Sequence, residues 1–600
     1  MKQMDNQNVD QSADIFRAHI DTVFLTKGDA LFADLVDGQL SYAACKADMT
    51  MLAAIFDQVH LQQGDRALIL SGNDRATIAL VLALLRAGIT PVIGDRSATY
   101  TESLEMGTLA DVNAVFCDAD HPLIVTIGNP PLRIPLIRLN SCDGNVSVDI
   151  ETAKLQQQVK RNSAEIALMV LTSGTTSAPK VVALTHANLL AQFDIFRQVY
   201  GFDAQMRLLN TLPLHHVDGL IRGPLAALWV GGSVHRAIPF AVNTIPRILA
   251  SVSALAITHF ITVPAMLRII DRVGRDQPDA LRTPWLRFVI SSADWLDPTL
   301  WKRFEEAFGV RIVNAYGLSE VVCDALFTGL NDNVKRIGTL GRAVGCSARV
   351  VDERGAEVLN GEIGELVLSG PTVMQGYFAA PEANAATLKY GDFHTGDFVR
   401  VDADGIFEFV GRKKTAIVSA GSTIHPEAAT QVLSGMPFVL EAVAFGVPDA
   451  AMGERLVAAI VPLPGHEITP AQASSFCRLY LSPERSPREF RIVPVLPRGA
   501  SGKVILSELI TLGLERIAQP ANKDVISIAA QCFNLPLEKL SLSSTPFNTD
   551  GWDSLAHMAL IEALEDAFSI QFSAMQIAQI MSLEDAQKFV VEAGAMIDSD

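Results

Sequence analysis

The chain has 600 residues, several times an ordinary domain, and its 49% hydrophobic and 19% charged content excludes a disordered or fibrous protein. With 48 Lys and Arg against 66 Asp and Glu, the formal net charge of −18 also excludes a general binder of the nucleic-acid backbone. Half of that excess lies in residues 521–600, where 3 Lys face 12 Asp and Glu, so the tail has a character of its own.

The first residues, MKQMDNQNVDQSAD, are polar and lack the apolar stretch of a secretory signal. Residues 64–72, 73–88 and 89–94 read strand, helix, strand, the grammar of a parallel sheet covered by helices. The apolar run at 76–88 is interrupted by Arg86 and reads as a buried helix, so no membrane span is expected. Strands recur at 167–171, 256–263 and 286–291. After about residue 340 the pattern turns to short strands with polar turns, a β-rich portion, and then to a distinct α+β piece. QPANK at 519–523 reads as a connector, beyond which the chain is acidic and helical. The cysteines (Cys45, Cys117, Cys142, Cys323, Cys346, Cys477, Cys532) are odd in number and lack a CxxC pair. They predict reduced thiols in a cytoplasmic protein.

LTSGTTSAPK (171–180) follows an apolar strand and packs short hydroxyl side chains around Gly174 beside the charge of Lys180, a composition suited to an anion. It is not a Walker A loop. Pro179 stands where that motif needs its second Gly, and Val181 where it needs a metal-binding hydroxyl. Five more segments follow in order: LPLHHVDG (212–219), YGLSE (316–320), FHTGDF (393–398), GRKK (411–414) and LPRGASGK (496–503). Together with the loop they resemble the adenylate-forming superfamily of acyl- and aryl-CoA ligases, peptide-synthetase adenylation domains and luciferases. Ser177 and Val181 depart from the glycines usual there, and the Val predicts a less mobile loop.

The resemblance implies an α/β fold: a large adenylating domain over 1–410, with helix-covered sheets plus a small β-barrel, and a small α+β subdomain over 411–512. It implies ATP and Mg2+ as partners of a carboxylic acid substrate. Thr172, Ser173, Gly174, Thr175, Thr176 and Lys180 would hold phosphate, with Glu320 and Thr175 on the metal. Tyr316 would stack on adenine beside Gly317, Ser319 would reach phosphate, Asp397 would take both ribose hydroxyls, and Arg412 would lie on the ribose or phosphate side. Lys503 would stabilise charge between the carboxylate and the α-phosphate, and the small subdomain would rotate about Lys414. Past that hinge, SAGSTIHPE (419–427) resembles the loop lining a thiol tunnel. His216, Val217, Gly219, Gly223 and Ala315 would line the acyl pocket, with His216 as its gate. His215 and His216, adjacent in an extended run, would point to opposite faces and hold no metal.

The segment at 291–296, SSADWL, stands where the family contacts adenine, with Asp294 and Trp295 unusual there. Val217 argues against an amino acid, and Ala315 lacks the Arg that malonate ligases carry. Gly219, Gly223 and Ala226 predict room for a short-to-medium aliphatic or aryl acid.

In the tail, Leu555, Met558, Leu560, Ile561, Leu564 and Phe568 recur at helical spacing, with Glu562, Glu565 and Asp566 on the other side. As structure alone, Asp553-Ser554 is a helix cap. GWDSL before an acidic helix also resembles acyl carrier proteins, which implies a linker at 513–522, a four-helix carrier over 523–600 and covalent 4′-phosphopantetheine on Ser554. Implied partners are a phosphopantetheinyl transferase and downstream synthase or transferase enzymes drawn to the acidic helix. Free CoA is the competing acceptor, and a non-catalytic scaffold the alternative from another class.

Overall fold

The computed structural model describes the chain apart from residues 1–6, 73–74, 126–133, 143–144, 152–165, 173–179, 330–336, 414, 416, 420–421, 450–452, 482–485, 488, 499–503, 512–523, 534, 536, 550–551, 553, 569 and 594–600. The expected strand–helix–strand unit forms as Arg66–Leu70, Arg75–Ala87 and Thr90–Ile93, its two strands adjacent and parallel. Every residue from Ala76 to Leu85 is buried, which is why the helix reads as an unbroken apolar run rather than an amphipathic one. The unit belongs to an eight-stranded sheet that also holds Ile166–Thr172 and Lys180–Thr185.

A nine-stranded sheet carries the strands Ser233–His235, Arg207–Leu209, His259–Thr262, Phe288–Ser291 and Ile312–Tyr316 in parallel. Their C-terminal ends therefore share one edge. The segments at 210–223, 291–296 and 316–320 all leave from it, the place where open α/β sheets bind ligands. In place of the expected barrel stands a five-stranded antiparallel sheet, in which Asp392–Val401 pairs with both Ile363–Ser369 and Phe407–Arg412.

Beyond the hinge, Val439–Asp449 and Gly453–Pro462 pair antiparallel in a separate sheet, with helices Pro426–Ser434 and Pro470–Tyr480 and cores of its own. Glu441 ties this part to the large domain. It accepts from Arg498 at 2.6 and 2.7 Å and from Arg268, on the large-domain helix Pro264–Val273.

The tail has helices Val525–Phe533, Ser554–Phe568, Ala574–Gln579 and Leu583–Glu592. Leu560, Ile561 and Leu564 are wholly buried, as their spacing predicts, and Trp552 stacks on Phe533 at 4.6 Å. Glu565 departs from expectation. It is 2% exposed, not on a solvent face, because the tail lies against the large domain, where Arg272 donates to it at 2.7 Å. Asn243 meets Met581 across the same contact. Among the described residues no helix is long and apolar enough to cross a membrane.

Candidate active site

Two side-chain groups assemble at the edge of the nine-stranded sheet. In the first, Asp397, 2% exposed, accepts from the Tyr316 hydroxyl at 2.6 Å, and Arg412 Nε lies 3.1 Å away. The pairing is built into the backbone, since Asp397 and Arg412 are opposite residues of neighbouring strands. Burial and the Asp397 charge hold the Tyr316 hydroxyl well above its ordinary pKa, so it stays a donor. Burial pulls the Arg412 pKa down, but Asp397, Tyr316 and Asp294 outweigh it and raise it. Asp294 therefore belongs electrostatically to this group. Behind it, Glu365 accepts from the Gly396 N–H at 3.1 Å and fixes the stretch of strand that presents Asp397.

In the second group the Tyr377 hydroxyl donates to Glu320 at 2.8 Å, and Lys180 Nζ sits 4.6 Å from the Tyr377 ring centroid. Tyr377 reaches there because Gly376–Tyr377 pairs with the strand Lys180–Thr185. Sequence reasoning missed Tyr377 and Glu365; only their place on strands crossing the motif segments marks them. Thr172 and Lys180 face each other across an antiparallel pair. Val181 lies in the strand beyond, 2% exposed and opposite Leu171. Its branched side chain fills a sheet interior, while the loop it was expected to stiffen lies outside the described residues.

Ser173, Gly174, Thr175, Thr176, Lys414 and Lys503 lie outside the described residues. Ser319 and Glu320 share the one-turn helix Ser319–Val321. Arg498 and Val504 form an antiparallel bridge, which brackets the lysine segment from both sides. Thr415 and the Arg412 N–H both donate to Glu427, so the segment after the hinge packs on the strand before it.

The acyl segment departs from expectation in two ways. His215 and His216 have ring centroids 4.3 Å apart, because the chain turns there, the His216 N–H donating to the Pro213 carbonyl at 3.2 Å. Adjacent residues alternate faces only in extended chain. Among the described residues no group of three or more His, Cys, Asp or Glu could hold a metal. Gly219 opens no room: a Cβ there would meet the Pro213 carbonyl at 1.9 Å, so its missing side chain lets two backbones touch. Gly223 marks a kink, with Asn210 Nδ2 3.4 Å from where its Cβ would be. Ala226 is buried at 1% and Ala315 at 3%. Val217 offers its carbonyl to the Cys323 thiol at 3.7 Å. Within this segment Arg222, which sequence reasoning missed, is fully buried among carboxylates.

Residues 20–378 match the model of the AMP-binding enzyme family, and residues 431–503 that of the AMP-binding enzyme C-terminal domain. The chain belongs to the AMP-binding enzyme family, and it is an AMP-forming acid–thiol ligase. A "Probable CoA ligase" of Humulus lupulus is 34% identical over 511 residues, 80% of this chain and 94% of that one. The oxalate–CoA ligase of Arabidopsis thaliana is 31% identical over 74% of this chain and 87% of its own. A sulfoacetate–CoA ligase of Cupriavidus necator is 35% identical over 56% of this chain; the match spans 65% of that relative. ATP-bound MatB from Rhodopseudomonas palustris superposes with a TM-score of 0.71 at 25% identity, covering 84% of this chain and 100% of that one.

Proposed function

We propose that the chain activates a carboxylic acid as its acyl-adenylate and passes the acyl group to a thiol borne by its own tail at Ser554. The observation that carries the first half is the frame of Tyr316, Asp397 and Arg412 set beside Lys180, Tyr377 and Glu320. A buried carboxylate with a Tyr donor above it suits a ribose diol, and cations beside a hard carboxylate suit a metal-bound triphosphate. Two anions, the acid and the α-phosphate, must approach each other, so alignment and positive charge are what this chain supplies. The carboxylate oxygen bonds to the α-phosphorus as the bond to pyrophosphate breaks, with Lys503 answering the charge. A thiol sulfur then bonds to the acyl carbon and AMP leaves.

Glu320 and Thr175 would hold Mg2+, which supplies charge neutralisation at the phosphates; a carboxylate donor fits that hard cation. Ser554, the first residue of the helix Ser554–Phe568, would carry 4′-phosphopantetheine, which supplies a thiol on a long arm. The tethered arm raises the thiol's effective concentration at the ligase, which favours loading within the chain. The CoA ligases among the relatives support a second reading, in which free CoA is the acceptor and the tail is a docking module.

Incubation with a phosphopantetheinyl transferase and CoA is expected to add about 340 Da at Ser554 and none to Ser554→Ala, by the logic of covalent modification. With ATP and the cognate acid, the acyl mass is then expected on the modified tail. Acyl-CoA as the sole product refutes self-loading. Lys503→Ala is expected to abolish ATP–pyrophosphate exchange; exchange at an undiminished rate refutes the adenylation reading.

A further inference from the structure

Beneath the acyl segment lies a closed group of charged side chains. Arg222 Nη1 donates to the Ser292 hydroxyl at 2.7 Å; Nη2 lies 3.0 Å from Asp218 and bonds Asp324. The Tyr200 hydroxyl donates to the other oxygen of Asp324 at 2.8 Å. The group joins the segments 210–223 and 291–296 to Asp324, which follows the segment 316–320. It also abuts the nucleotide-side turn, since a Cβ on Gly317 would meet the Cys323 carbonyl at 1.5 Å and the Asp324 Cα at 2.8 Å. The Cys323 thiol in turn reaches the Val217 carbonyl.

We infer that Arg222, Asp218 and Asp324 form the floor of the acid pocket and select a short acid whose far end donates a hydrogen bond, a hydroxyl or an ammonium. This deepens, and rests on, the acyl-activation reading above. Size follows from burial. Arg222 is 0%, Asp324 1%, Tyr200 1% and Ser292 2% exposed, and the neighbouring Gly219 is occupied by backbone, so no space lies behind for a long chain or an aryl ring. Asp218 is the member that solvent reaches, its side chain 16% exposed. Sign follows from charge. One guanidinium already answers two carboxylates, so a second anion on the substrate would face uncompensated negative charge. A carboxylate at the reachable end accepts, and what complements it donates.

The full chain is assayed by ATP–pyrophosphate exchange with glycolate, 3-hydroxypropionate, glycine and β-alanine, against propionate and butyrate, malonate and sulfoacetate, octanoate and ferulate. The donor-bearing short acids are expected to exceed propionate and butyrate by about tenfold or more, the worth of a hydrogen bond to a charged acceptor. Asp218→Ala leaves Arg222 paired with Asp324 and is expected to shrink that preference to about twofold, with an unchanged melting temperature. The combined variant Arg222→Met, Asp324→Leu, Tyr200→Phe exchanges the buried charges for apolar groups of similar volume, which folds more readily than a single deletion. With volume kept, it is expected still to exclude octanoate, and uptake of octanoate by this variant would overturn the size argument. A ranking led by an unsubstituted, dianionic, medium-chain or aryl acid overturns the inference, as does a preference unmoved in a folded Asp218→Ala. No exchange with any acid in the wild-type chain is a different result: it fails the acyl-activation reading, and the inference falls with it.

Discussion

Asp397→Asn isolates the nucleotide frame more sharply than any other single change. The wild-type carboxylate is 2% exposed and holds the Tyr316 hydroxyl at 2.6 Å and Arg412 at 3.1 Å. Two ribose hydroxyls bonded to a charged acceptor are worth about 1.5–3 kcal/mol each, and the Asn carbonyl recovers part of that. A net loss of about 2–4 kcal/mol corresponds to roughly a 30- to 700-fold weaker ATP affinity. Two controls set the scale. Tyr316→Phe removes one donor but keeps the ring, and is expected to cost less than about tenfold. Arg412→Ala removes a guanidinium whose side chain is 51% exposed, so solvent already screens it. Its direct contribution is held to about 1 kcal/mol. ATP titration calorimetry gives the affinities, pyrophosphate exchange the turnover, and thermal melting a check on folding. Unchanged ATP affinity in Asp397→Asn, or equal losses in all three variants, would refute the ribose assignment.

Two further changes probe motion and pH. Lys414→Pro is expected to slow thiol transfer far more than adenylate formation, and single-turnover measurement of each half-reaction decides it; equal losses count against rotation. Arg268→Ala cuts the bond from the large domain to Glu441 while Arg498 still pairs with it. A partly exposed pair of this kind is worth about 1 kcal/mol, so the two half-reactions are expected to shift in opposite directions by a few-fold. A same-direction loss in both would show that the contact does not discriminate between orientations. In the tail, burial pulls the His557 pKa from the ordinary 6.5 to about 4, and its neutral ring accepts from Trp552 Nε1 at 3.2 Å. The unfolded chain takes that proton near pH 6.5 and the folded one only near 4, so this stabilisation is complete above 6.5 and lost as pH falls toward 4. The full loss is about 3 kcal/mol. A melting temperature of the tail that stays level from pH 7 to 5, or that His557→Gln leaves just as pH-dependent, contradicts this.

Much of the architecture was legible because its signals are local. The strand–helix–strand unit at 66–93 announces itself through a run of apolar residues bounded by Gly and Asp. The segments YGLSE and HTGD carry a ring at a strand end and a carboxylate within a strand, positions that local apolar patterning sets. Other features were out of reach for the same reason. Glu320 finds Tyr377 and Asp397 finds Tyr316 across sheets, at separations of 57 and 81 residues. The two histidines were misjudged because their faces depend on a turn at Pro213. Glu565 looked like one more solvated acid on an amphipathic helix until the large domain placed Arg272 against it. Spacing along a chain sets backbone shape, turn chemistry and the apolar face of each helix, since those forces act between near neighbours. Which charges lie buried together, and therefore what the site can bind, depends on distance through space, and the packing of distant strands alone decides that.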